Sequence, residues 1–275
     1  MTSSASMLST VLAVESDPGG GFVAPGLSEF YPPPIAEFSL LGISFEITRI
    51  TVISWFATGA IALFLLLAFR KNSIVPGRLQ FLFESGYGFI RNGVARDVVG
   101  PKGLPFAPFL ASLFFFILAN NVMGVFPGAQ ISPMSKFAYP LVLALIVWVV
   151  YIAVGIHSQG AGRYFKDIAF PPGVPKAMYV LITPLELLQT FIIRPFTLSL
   201  RLFANMFAGH MLLVTFALGA AYLLTVGNFS MVFAPLSALM FIVMTFFELL
   251  IIFLQAYVFA MLTATYLNSS LEPAH

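Results

Sequence analysis

Five side chains that hydrocarbon penalises, Glu186, Arg194, Arg201, Asn205 and His210, lie in one apolar run from Ala177 to about Val226. Most fall in the stretch RPFTLSLRLFANMFAGHMLLV, Arg194–Val214. Arginine at mid-bilayer costs at least about 2.5–3.5 kcal/mol on insertion scales, so such residues persist where they line a cavity, a partner surface or an ion path. A guanidinium keeps its charge at any accessible pH, so it can attract a carboxylate but cannot itself relay a proton. An imidazole or a carboxyl group can.

Helical spacing sorts these groups. Arg201 and Asn205 are four apart and share a face, whereas His210, nine beyond Arg201, lies roughly 180° around. Ala204, Ala208 and Gly209 put small side chains beside the polar face, where another helix can approach closely. The bland alternative is an arginine snorkelling to the interface from a helix end. The further polar groups in the same run weigh against it.

The next apolar run, Ser230–Asn268, follows the same logic. Glu248 and Gln255 are seven apart on one face, Thr245 is close to it, and Tyr266 returns to it eleven residues after Gln255. A carboxyl, an amide and a phenol aligned down an apolar helix can line half of a water-filled path. A packed helix with buried, hydrogen-bonded polar groups would read the same way. Asn120 and Asn121, in ANNVMGVFPG, are adjacent amides near the end of another span. Their spacing fits interface hydrogen bonding and a functional role equally well.

These residues need a membrane scaffold. The chain of 275 residues is 59% hydrophobic and only 9% charged, with mean hydropathy +0.97. Soluble proteins carry about 25% charged residues, so the expected class is an all-α polytopic membrane protein. With no cysteine there is no disulfide or thiolate metal site. No phosphate loop, HExxH or nucleophile elbow is present, and three scattered histidines make no metal site. We therefore expect no cofactor, no metal, no nucleic acid, and no catalysis by this chain alone.

Residues 1–42 hold no Lys or Arg, carry Pro and Gly clusters, and read as an irregular outward-facing segment before a single membrane domain, 43–275. Spans are expected at about 45–69, 105–126 and 137–156. Between the first two, residues 76–100 place Leu79, Leu82, Phe83, Tyr87, Ile90 and Val94 at three- and four-residue steps, an amphipathic helix on the membrane surface. Residues 177–226 and 230–268 are too long for single upright crossings, at about 75 and 58 Å against a core of ~30 Å. No polar stretch divides either, and prolines 184, 195 and 235 offer kinks only. A long tilted helical hairpin turning near Gly227–Asn228 is expected.

Orientation follows from the basic residues. Arg70, Lys71, Arg78, Arg91, Arg96, Lys102, Arg163, Lys166 and Lys176 fall in loops after the first and third spans, with only Arg49 and Lys136 opposite. That bias puts the N-terminus outside and the C-terminus in the cytoplasm or matrix.

RPFTLSLRLFANMFAGH and FELLIIFLQAYVFAMLTATYL, Phe247–Leu267, resemble the signature segments of subunit a of F-type ATP synthases, and the likeness runs roughly from Pro76 to Leu267. The resemblance implies a stator with two inclined helices facing a ring of c subunits, held by peripheral-stalk b subunits in an energy-coupling membrane, here most readily a bacterial plasma membrane. It implies that Arg201 faces the rotor carboxylate and bars a direct leak between two offset half-channels. His210 and Glu248 would act as a pair in the outer half-channel, with Asn121 nearby. Asn205, Gln255 and Asn120 are further candidates for the path. Glu186, Ser199 and Tyr266 are the inner candidates. The alternatives are a sodium-coupled version and a self-contained secondary transporter; the latter usually shows internal repeats, and none is evident here.

Overall fold

The structure is a computed structural model, and it describes residues 26, 30, 32–40, 43–69, 77–170, 178–225 and 229–271. Arg70, Lys71, Lys176, the acidic residues before Phe30 and the expected turn at 227–228 lie outside the described residues. Two short antiparallel strands, β1 (Ala36–Leu40) and β2 (Ile43–Ile47), pair in register with Glu37 opposite Glu46 and Phe38 opposite Phe45. This hairpin replaces irregular chain at the end of the N-terminal segment. Its signal was present in the sequence, since both five-residue runs alternate and only two residues separate them.

Among the described residues, five helices are long and apolar enough to cross a membrane. The first is α1 (Arg49–Phe69). An amphipathic helix α2 (Arg78–Ile90) widens into a π-helical segment, Arg91–Val99, and stops at Gly100, whose φ of +80° suits glycine. Phe83, Ile90, Val94, Ala95 and Val99 form its buried stripe, while Arg78, Glu84, Arg91, Arg96 and Asp97 are exposed. Leu82, expected on that stripe, is instead 64% exposed, as is its neighbour Phe81 at 62%. The helix therefore buries one apolar side against protein and keeps a second apolar side outward.

A 3₁₀ turn, Pro101–Phe106, leads into α3 (Ala107–Val122), and α4 (Ala138–Gln159) follows a polar return loop. The loop after α4, which carries Arg163 and Lys166, contains a short helix α5 (Ala161–Ala169) beyond Gly160. Its Tyr164 ring lies directly over Gly155 of α4, a contact that leaves no room for a side chain there.

The last two spans carry the site. The first is built from α6 (Tyr179–Leu188), a π-helical turn Gln189–Ile193 and α7 (Arg194–Thr225); the second is α8 (Ala234–Leu271). Pro195 lacks the N–H that would continue the α-ladder, and just ahead of it the helix widens. The Thr190 carbonyl in this turn accepts a hydrogen bond from the buried Tyr151 hydroxyl of α4 at 2.6 Å, so the irregular backbone is satisfied inside the protein, as a membrane setting demands. The helical stretches Tyr179–Thr225 and Met231–Leu271 hold 47 and 41 residues. Each is about twice the ~30 Å hydrocarbon core, so it must be steeply inclined to stay within it.

Helices α7 and α8 pack along each other more extensively than any other pair, and α3 and α4 back them. The core between these four is filled by Leu110, Ile117, Val147, Leu198, Leu202, Ile252 and Phe259, among others.

Because one span, α4, separates the return loop from α5, their surfaces should lie on opposite sides of the membrane. Single cysteines, Gln130→Cys and Arg163→Cys, both at exposed positions, should react with impermeant maleimide from opposite faces of sealed vesicles, the second from the cytoplasmic face. Labelling of both from one face would break this arrangement.

Candidate functional site

Along α7 the polar groups divide as their spacing requires. Arg201 is exposed with Thr197, Leu200, Ala204 and Ala208, one stripe of the helix. His210 is 5% exposed and lies among residues that face the protein. Beside Arg201 the stripe is lined by small groups, so a partner helix can come close to the guanidinium. Among the described residues Arg201 meets no carboxylate; their single salt bridge is Arg163–Asp167 in α5, at 3.6 Å.

One turn along, the Asn205 side-chain amide donates to the Gln255 carbonyl oxygen of α8 at 2.7 Å. Gln255 is 4% exposed, and its own Nε2 has no hydrogen-bond partner among the described residues. The bond is an inter-helix tie in an apolar surround.

Two turns before Gln255, Glu248 is 3% exposed. Its carboxyl group packs on the backbone of Gly209, where a β-carbon would come within 3.2 Å of the carboxyl carbon and of Oε1. Gly209 is thus the close-approach point at which α8 brings its carboxyl beside α7. Gly209 is the residue before His210 on α7. Oε2 of Glu248 is buried without a hydrogen-bond partner among the described residues. The His210 ring meets the ring of Phe30 edge-on, centroids 5.1 Å apart.

Asn120 and Asn121 are fully buried, but their bonds run elsewhere. Ser54 of α1 donates to Asn120 Oδ1 at 3.0 Å, and Asn120 Nδ2 donates to the Phe116 carbonyl at 2.9 Å. Ser132 of the return loop donates to Asn121 Oδ1 at 3.2 Å, leaving Asn121 Nδ2 buried without a hydrogen-bond partner among the described residues. These amides join α1, α3 and the return loop. Ser54 and Ser132 escaped the sequence reading, because nothing local marks a serine as the partner of an amide 66 or 11 residues away.

At the other end of α7 and α8, Gln189, Ile193, Arg194, Thr197, Thr265, Tyr266 and Ser269 line an open cleft of about 390 Å³. The Arg194 guanidinium stands 5.3 Å from the Tyr266 ring centre and donates to Ser269 Oγ at 3.3 Å. Of the three inner candidates only Tyr266 lines this cleft. Ser199 is fully buried and its hydroxyl donates back to the Phe196 carbonyl at 2.8 Å. Glu186 is half-buried on α6, three residues before the π-helical turn begins. Arg194 was among the penalised side chains of the sequence, whereas Gln189, Thr197, Thr265 and Ser269 were not singled out; the three-residue step Arg194–Thr197 was the available signal. No cluster of metal-binding side chains occurs among the described residues.

If the Asn205–Gln255 bond ties the two helices, Asn205→Ala and Gln255→Ala should each lower the melting temperature of the purified protein, and the double variant should lose less than the sum. Coupling of about 0.6–1.7 kcal/mol is the range for such bonds in membranes. Strict additivity would show that the bond contributes nothing.

Comparison with known proteins adds the family. A family model described as ATP synthase A chain matches residues 51–268. The chain is 45% identical over 253 residues to ATP synthase subunit a of Parafrankia sp., covering 92% of this chain and 85% of that one. It is 43% identical over 252 residues to ATP synthase subunit a of Frankia alni, with 91% and 86% covered. The counterpart from Nocardioides sp. is 41% identical over 271 residues, with 95% and 98% covered. By this match across most of its length, with five helices able to cross a membrane, the chain belongs to the ATP synthase subunit a family, a membrane component of the F-type ATP synthase.

Proposed function

We propose that the chain is the stator side of a proton path that turns a ring of c subunits, with Arg201 as the group each rotor carboxylate passes. The observation that carries this reading is the exposure of Arg201 on an apolar helix, beside Ala204 and Ala208, with no carboxylate against it among the described residues. A permanent cation in that position is costly unless a partner surface supplies the opposite charge.

The division of labour follows from chemistry. Arg201 draws each arriving carboxyl group toward ionisation, and because it holds its own proton it blocks direct passage between the two sides. On one side His210 and Glu248 are proton-exchanging groups on facing stretches of α7 and α8. Asn120 and Asn121, with Ser54 and Ser132, stand further toward that face. On the other side, the cleft at Arg194, Thr197 and Tyr266 is the candidate exit, in place of a path through Ser199. Protons that enter by one route and leave by the other must ride the ring between them. Each charge crossing the field supplies about 2.3 kcal/mol per 100 mV.

In this reading the chain does no bond chemistry of its own and works within the synthase, braced by peripheral-stalk b subunits. It spans the bacterial plasma membrane as one domain, 43–275, with residues 1–42 outside and the C-terminus in the cytoplasm. The excess of basic residues after the first and third spans supports that orientation.

Arg201→Ala is expected to abolish ATP-driven proton pumping and ATP synthesis while the complex still assembles. Arg201→Lys should fail as well, because a buried ammonium can lose its proton and lacks the planar fork. Both are measured as acidification of inverted vesicles and as ATP made under an imposed gradient; near-normal synthesis in the two variants would end the assignment.

His210→Glu combined with Glu248→His should pump faster than either single exchange if the two groups form one relay, since contacting groups couple and distant ones do not. Initial rates of ATP-driven proton uptake in the two singles and the double decide it. Additive losses without recovery would mean that the positions work separately.

A further inference from the structure

Phe30 is the one described residue between Gly26 and Pro32, and it is 3% exposed. Its ring lies 4.7 Å from that of Phe207 and meets the His210 imidazole edge-on, at 5.1 Å and 75°. Phe207 and His210 are three apart on α7, so one aromatic ring from the N-terminal segment covers both. Edge-on contact is a preferred aromatic geometry.

The chain after the ring is held in place. Pro32, Pro33 and Pro34 follow it, restricting the backbone to extended forms. The Ile35 N–H then donates to the Ile47 carbonyl at 2.8 Å, fastening the segment beside the hairpin just ahead of α1. Arg49, the first residue of α1, donates to the Gly128 carbonyl at 2.8 Å and the Ala129 carbonyl at 3.2 Å. The anchor is thereby tied to the α3–α4 return loop. A short strap thus runs from the head of α1 to the middle of α7 and ends on His210.

We propose that Phe30 is a positioning residue for His210: its ring plugs the approach to the imidazole from the face where the hairpin lies and holds the imidazole toward α8. The strap then decides by which side water reaches this group. The plug itself stands on geometry; its consequence for proton entry rests on the function proposed above.

The test uses the assembled complex in sealed vesicles of each orientation, with His210→Cys introduced into this naturally cysteine-free chain. Labelling of position 210 by an impermeant maleimide, read on the isolated chain, is compared with and without Phe30→Ala. Removing the ring should speed labelling on the order of tenfold, as for a site whose local cover is lost, and from one face only. Phe30→Leu, which keeps an apolar cover, should remain near the parent rate. Should Phe30→Ala lower the amount of chain in the membrane, Phe30→Val gives the same comparison. Unchanged labelling after loss of the ring, or an equal gain from both faces, would overturn the plug. The readout needs no proton transport. Faster labelling together with normal pumping by Arg201→Ala would therefore leave the plug standing and remove the proposed function.

Discussion

The inter-helix hydrogen bond from Asn205 to Gln255, flanked by Arg194 to Ser269 and Ser237 to the Phe216 carbonyl, holds the register on which the polar interior depends. Two long apolar helices have little to choose between one sliding register and the next, since lipid and leucine are equally apolar partners. A buried amide pair removes that freedom. With it in place, Glu248 meets Gly209 one side of the bond, and Tyr266 stands under Arg194 on the other. A slip by one turn would put the carboxyl group against a residue with a side chain and strand both amides without partners.

Small residues do a second job here. Gly209 admits a carboxyl group, and Ala204 and Ala208 flank the guanidinium on the outward stripe. The same helix is therefore narrow on two faces, one for contact inside the chain and one for contact outside it. Large apolar side chains such as Leu198, Leu202 and Met206 share the inward side with Gly209 and anchor α7 to the core. The helix thereby carries a charge outward and a titratable ring inward without turning to bring them together.

Much of this was legible from spacing. The opposition of Arg201 and His210, the shared face of Glu248 and Gln255, and the two overlong spans all follow from helical geometry applied to an apolar background. What stayed hidden depends on contacts between distant parts of the chain. Ser54 and Ser132 acquire meaning only beside the two asparagines, and Tyr151 only beside the widened turn at Thr190. Ser199 and Thr197 both bond back to their own helix, but Ser199 is fully buried whereas Thr197 is exposed and lines the cleft. The hairpin was missed for a different reason: the surrounding Pro- and Gly-rich composition masked two short alternating runs.

The length of α6 and α7 bears on the geometry of travel through a membrane. A 47-residue helical stretch held within a ~30 Å core gains only ~0.6 Å of depth per residue, in place of the 1.5 Å of an upright helix. The nine residues from Arg201 to His210 then differ in depth by roughly 6 Å but in lateral position by about 12 Å, more than the 8–10 Å between neighbouring packed helices. Slope alone thus sets the two groups a full helix-width apart in the plane of the bilayer. Sequence distance along this helix measures sideways displacement more than electrical depth.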